Sequence, residues 1–231
     1  MKHHKVDQGS AEWYNARLGV PTASNFHKIL TPTGKASTQA SCYMYRLIAE
    51  KLLRDTMDDQ IGHVQWVEHG LMEEPHAAQQ FEFITELQLE PAGFITTDDD
   101  RLGCTPDRLV KGRNEAVEIK CKSPPLQIGY LLDGPGNDYR PQVQGQLLVG
   151  EFDKVHFYAY HPRMPAFHDI TRRDEPYLKL LGPALQAFLQ VLEEKTEKAR
   201  RLGAYVATEH ISPMLRAYPE LEPDPLQIIL P

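Results

Sequence analysis

Between Leu102 and Lys122 the chain reads Leu-Gly-Cys-Thr-Pro-Asp-Arg-Leu-Val-Lys-Gly-Arg-Asn-Glu-Ala-Val-Glu-Ile-Lys-Cys-Lys. Residues Ala116 to Lys120 alternate apolar and polar with the period of a pleated strand, so Glu118 and Lys120 leave one face while Val117 and Ile119 leave the other. The turn residues Lys111-Gly112-Arg113-Asn114 predict a hairpin, which lays the segment headed by Pro106-Asp107 against that strand. A chain with this stretch must contain a sheet. One face is expected to be buried and the other to carry chemistry, with the site on the sheet edge near Asp107 and Glu118.

Hydrolysis of a phosphodiester needs oxygen ligands for Mg²⁺, usually one or two carboxylates, and a group that positions or deprotonates the attacking water. Asp107 and Glu118 are candidates for the first role and Lys120 for the second. Two carboxylates brought together repel, and a bound cation or a neighbouring ammonium relieves the repulsion. Lysine as a base requires a depressed pKa, so holding the water electrostatically is the role expected of Lys120. The alternative is an exposed Glu118–Lys120 ion pair on an edge strand, the commoner fate of Glu-x-Lys taken alone.

Four blocks in order extend the pattern: Trp13 to Ser24 (Trp-Tyr-Asn-Ala-Arg-Leu-Gly-Val-Pro-Thr-Ala-Ser), Gly70 with Glu74, Thr105-Pro106-Asp107 with Glu118-Ile119-Lys120-Cys121, and Tyr139-Arg-Pro-Gln-Val-Gln144. Together they resemble the phage lambda exonuclease (YqaJ viral recombinase) family of PD-(D/E)xK nucleases. The resemblance implies an α/β fold with a restriction-endonuclease-like core, a mixed central β-sheet flanked by α-helices. It implies that metal is held by Asp107, Glu118 and the backbone carbonyl of Ile119, that Glu74 assists there, and that Arg17, Ser24, Thr105, Gln142 and Tyr139 contact DNA. A guanidinium suits phosphate because its planar fork meets two oxygens at once. Near Trp66 and Val67 the family carries an apolar wedge that parts the two strands of the duplex end. Core burial is the other fate open to these two residues.

The activity implied by the resemblance is Mg²⁺-dependent digestion of double-stranded DNA ends, 5′ to 3′, releasing 5′-mononucleotides and leaving a 3′ single strand for annealing. Mn²⁺ is expected to substitute. The family context also implies a homotrimer ring around the duplex and a single-strand annealing protein as partner. One departure is local: Lys122-Ser123 is inserted before Pro124, and the arginine that the family carries a few residues further on, in its 5′-phosphate pocket, has no match. Lys122 can stand in as a point charge. Two rival readings share the core, an endonuclease or junction-cutting enzyme and a non-catalytic DNA-binding protein.

With 231 residues, 41% of them hydrophobic and 25% charged, the chain can bury one core and is not of disordered composition. We expect a single domain over 1–203 and a proline-rich arm over 204–231, docked on the domain or on a neighbouring subunit. No apolar run approaches the roughly 20 residues that span a bilayer. Met1 to Gln8 lacks the apolar middle of a signal peptide, so a cytoplasmic protein is expected. Cys42, Cys104 and Cys121 make neither a disulfide framework nor a zinc set and are expected to be reduced. The net charge of −7 speaks against general nucleic-acid affinity, yet an enclosing protein can keep basic groups inside a channel.

Periodicity and capping residues predict helices from Ser10, through Phe26 to Leu30, from Ser41 to Arg54, from Glu68 to Glu90, from Asp138 to Val149, and from Asp174 to Arg201. Pro75 predicts that the fourth of these becomes regular only near Glu74. Strands are expected at Phe94 to Thr97, at Lys154 to Tyr160 and at Ala166 to Thr171. Asp98-Asp99-Asp100 reads as a turn.

Overall fold

The computed structural model describes residues 1–57 and 65–203, and gives the backbone alone for 65–71. The helices are α1 (Ala11–Arg17), α2 (Ala40–Leu53), α3 (Gln65–Thr85), α4 (Pro124–Asp133), α5 (Arg140–Val149) and α6 (Glu175–Arg201), with a 3₁₀ turn at Ala23–Lys28. The strands are β1 (Lys2–His4), β2 (Leu89–Pro91), β3 (Phe94–Thr96), β4 (Gly103–Cys104), β5 (Arg108–Val110), β6 (Glu115–Cys121), β7 (Lys154–Tyr160) and β8 (Phe167–Thr171). The main sheet has the order β2-β5-β6-β7-β8; β6 and β7 are parallel and the other pairs antiparallel. A smaller antiparallel sheet has the order β1-β3-β4. The architecture is therefore α/β with a mixed sheet between helices. The proline-rich arm at 204–231 lies outside the described residues, and no described helix is long and apolar enough to cross a membrane.

The β5–β6 hairpin turns through Gly112 at φ +74°, a left-handed conformation that glycine adopts without steric penalty. The expected edge position is corrected: β6 is the middle strand, with β5 on one side and β7 on the other. Both of its faces are covered. Val117 and Ile119 pack with Tyr158 and Tyr160 against Ala77, Ala78 and Phe81 of α3. On the opposite face Ala116, Val155, Phe157 and Ala159 share a core with Phe26, Val143 and Leu147 and with Leu181 and Leu185 of α6. Each fully buried Val, Leu or Phe among them contributes roughly 2 kcal/mol by leaving water. The face expected to stand open for chemistry is thus roofed by α5.

Gly145 explains how closely that roof sits. A Cβ built there would fall 2.5 Å from the Phe26 ring, so only glycine lets α5 lie against the 3₁₀ turn. Ser10 caps α1 by accepting from the Trp13 N–H, and Asp174 caps α6 by accepting from Tyr177 N–H. Helix α3 runs through Pro75 from Gln65 instead of starting near Glu74. After Thr85 the chain does not continue as helix to Glu90; it passes through Glu86 at φ +58° into β2, where pairing with β5 supplies the backbone partners. Trp66 and Val67 lie on the backbone of α3, and their side chains are outside the described residues.

Glu115 at the head of β6 is a buried electrostatic tie. Its carboxylate accepts from His156 Nε2 at 2.9 Å and lies 3.3 Å from Lys154 Nζ, with a side chain 11% exposed. Burial by itself would raise its pKa, but the hydrogen bonds from His156 and Lys154 outweigh it and hold the carboxyl below its ordinary value. A carboxyl depressed in the folded state stabilises the fold above its unfolded pKa, and that contribution disappears as pH falls through the folded value. Glu115→Ala is expected to lower stability by about 3 kcal/mol at neutral pH. Urea unfolding should show the gap between parent and variant closing below about pH 4.

Candidate active site

Asp107 sits at the bend that opens β5, where its N–H donates to Val117 O at 3.1 Å. Its Oδ2 accepts from Ile119 N–H at 2.5 Å, which pins the carboxylate over β6. A strand residue sends its N–H and C=O to the same side. The Ile119 carbonyl therefore faces the Asp107 side of the strand. Burial pushes the Asp107 carboxyl well above its usual range; Glu118 and Glu74 push in the same direction, and Lys120 opposes them.

Glu118 is 1% exposed. A buried carboxylate demands donors, and three arrive: Lys120 Nζ and Gln142 Nε2 at Oε1, the latter at 2.6 Å, and Gln146 Nε2 at Oε2, at 2.5 Å. For Lys120 burial disfavours the charged form, but the Glu118 and Asp107 carboxylates prevail and raise its pKa above the ordinary lysine value. Lys120 is an ammonium here and donates; it does not accept protons near neutral pH.

Glu74 reaches the same cluster from α3. Arg108 Nη1 bonds Glu74 Oε1 at 2.7 Å and also Asp107 O at 2.5 Å, so one guanidinium links the helix to the bend that carries Asp107. Arg17 at the end of α1 donates to Thr105 Oγ1 at 3.1 Å and stacks its guanidinium 4.0 Å from the Trp13 ring. Ser24 is exposed on the 3₁₀ turn, its hydroxyl 3.3 Å from that of Thr22, and Thr22 bridges to Gly103 just upstream of Thr105. Tyr139 precedes α5; its hydroxyl accepts from Lys122 Nζ at 2.6 Å, and Lys120 Nζ lies 5.4 Å from its ring.

The structure thus joins Asp107, Glu118, Lys120, Glu74 and Gln142 into one network and pairs Arg17 with Thr105. Sequence reasoning passed over Gln146 and Arg108. Gln146 stands four residues after Gln142 on the same helix face, a spacing that could have found it. Gln144 does something different: it bonds Arg172 O and the Asp174 N–H at 2.9 and 2.8 Å, tying α5 to the start of α6.

Mg²⁺ usually binds through one or two carboxylates and keeps several waters. Asp107 and Glu118 are hard-oxygen donors of that kind; burial and then repulsion from Glu118 lift Asp107, and the repulsion is what a divalent cation offsets. Among the described residues no group of three or more His, Cys, Asp or Glu forms a ligand cluster. The donor set that fits is accordingly small: two carboxylates and the Ile119 carbonyl.

The model of the YqaJ-like viral recombinase domain matches residues 12–153. The crystal structure of an alkaline exonuclease, LHK-Exo, from Laribacter hongkongensis is similar at 28% identity and a TM-score of 0.74, covering 84% of this chain and 98% of that one. The same enzyme in complex with dAMP matches equally, at 28% identity and TM-score 0.74. A phage related exonuclease from Haemophilus somnus 129PT shares the fold at 14% identity and TM-score 0.58, over 78% of this chain and 96% of that one. No curated protein matches the chain.

Proposed function

Because the chain belongs to the YqaJ-like viral recombinase family, we propose that it is a Mg²⁺-dependent exodeoxyribonuclease. It digests linear double-stranded DNA from its ends in the 5′ to 3′ direction, releases 5′-mononucleotides and leaves a 3′ single strand for recombination. The observation that carries this reading is the joined network of Asp107, Glu118 and Lys120, held between β5, β6 and α5. The similar exonuclease in complex with dAMP supports a nucleoside monophosphate product. Polarity, a trimer ring around the duplex, a single-strand annealing partner and Mn²⁺ as substitute follow from the family resemblance.

Asp107, Glu118 and the Ile119 carbonyl would hold the metal, which when bound supplies Lewis-acid polarisation of the phosphate and charge for the leaving oxygen. The chain's own groups do the rest. Gln142 and Gln146 orient the buried Glu118 carboxyl by donating to both of its oxygens. Lys120, protonated, orients a water lone pair towards phosphorus and opposes the negative charge that develops there. Glu74 holds Arg108 and through it the Asp107 bend. Arg17, paired with Thr105, and the exposed Ser24 hydroxyl supply donors for the phosphate, and Tyr139 adds a hydroxyl and a stacking face.

Linear duplex labelled separately at each 5′ terminus, with and without 5′-phosphate, and closed circular duplex test the reading. With Mg²⁺, label should leave the 5′ end as mononucleotide while circles stay intact; with chelator, nothing should be released. Cleavage of circles would instead establish an endonuclease on the same core.

A further inference from the structure

Two carboxylates of the site have a cation of their own: Glu118 has Lys120 and Glu74 has Arg108. Asp107 makes no ion pair with any described residue and feels Glu118 and Glu74 as like charges, with Lys120 opposing them. Arg108 is held from two sides. Its backbone sits in the ladder between β2 and β6, opposite Pro91 and Val117. Its guanidinium bonds Glu74 Oε1 at 2.7 Å and the Asp107 carbonyl at 2.5 Å. Glu74 is equally fixed, because Ala77, Ala78 and Phe81 bury the following turns of α3 on the sheet. The Arg108 and Glu74 side chains are 25% and 20% exposed, so the pair is largely withdrawn from solvent.

A guanidinium at that distance neutralises the carboxylate it holds and competes for it with any other cation. Glu74 is thereby kept from the ion that Asp107, Glu118 and the Ile119 carbonyl would hold. Mg²⁺ tolerates so few protein oxygens because it keeps several waters, whereas Ca²⁺ takes about six to eight oxygen ligands. We propose that Arg108 sets the metal selectivity of the site: paired with Glu74, it withholds a third carboxylate and so favours Mg²⁺ over Ca²⁺. This role rests on the nuclease reading above and adds to it which ion the residues select. A side chain that merely braced the Asp107 bend would act with the opposite sign, since its loss would weaken the binding of every ion.

The test is calorimetric titration with Ca²⁺ and with Mg²⁺, without DNA, of the parent, Arg108→Met, Arg108→Gln, Arg108→Lys and the double variant Arg108→Met with Glu74→Gln. Arg108→Met should bind Ca²⁺ about tenfold tighter than the parent, with a much smaller gain for Mg²⁺. Arg108→Gln, which keeps an N–H donor for Glu74 but no charge, should repeat the shift, and it carries the test if the methionine variant does not fold. Arg108→Lys should keep the parent preference, and the double variant should lose the gain. Ca²⁺ binding that is unchanged or weaker in the folded neutral variants, or a gain equal for both ions, overturns the selectivity role alone. A parent that takes up neither ion overturns the nuclease reading together with it.

Discussion

Lys120→Met is expected to slow Mg²⁺-dependent DNA hydrolysis by roughly a thousandfold, with substrate binding changed far less. The side chain keeps its length and loses the ammonium, so the loss reports charge and not packing. Glu118, 1% exposed, then keeps only its two glutamine donors. Breaking one arm of a buried pair leaves charge uncompensated, and stability should fall by about 3 kcal/mol. Single-turnover rates and urea unfolding on the same preparation separate the two effects. A variant that folds and still turns over at the parent rate would remove Lys120 from the reaction.

Asp107→Asn should have opposite effects on activity and on stability. Asparagine retains a carbonyl oxygen that can accept the Ile119 N–H, now made by Asp107 Oδ2 at 2.5 Å. It removes a carboxylate that burial and the fields of Glu118 and Glu74 all disfavour. The metal-free variant should therefore melt at a higher temperature than the parent. Hydrolysis should drop by a factor on the order of a thousand or more, since a Lewis acid supplies several kcal/mol and every 1.4 kcal/mol is tenfold. Mg²⁺ at about a hundred times its dissociation constant stabilises a binding protein by about 2.7 kcal/mol. The parent should show that rise on thermal scans and the variant should not. Destabilisation of the metal-free variant would mean that the carboxylates are not in conflict.

The alternation through Ala116 to Lys120 was enough to place Glu118 and Lys120 on one side of a strand, because the pleat has no other period. It did not place β6 in the middle of the sheet. Polar residues every second position imitate a half-exposed strand, and two of the three donors that make the buried Glu118 carboxylate tolerable, Gln142 and Gln146, come from a helix more than twenty residues away in sequence. Helix α4 is not among the helices expected from periodicity. It begins with Pro124 and Pro125, and in the first turn proline gives up only N–H groups that have no helical partner. β1, made of Lys2, His3 and His4, has no apolar signal, and its register against β3 comes from the partner strand. At Pro75 the local rule was outweighed by packing, since Ala77, Ala78 and Phe81 bury one face of α3 on the sheet.

The parallel pairing of β6 with β7 requires the whole crossover through α4 and α5 to be in place. A nascent chain still on the ribosome with its C-terminal end before Lys154 lacks the partner strand that orders Glu118, and one ending before Arg140 lacks both glutamines as well. Such long-range strand pairing is late and slow compared with local helix formation. With the proposed site, hydrolysis is therefore expected only of chains that have completed this crossover, a safeguard inherent in topology for a nuclease whose substrate is DNA.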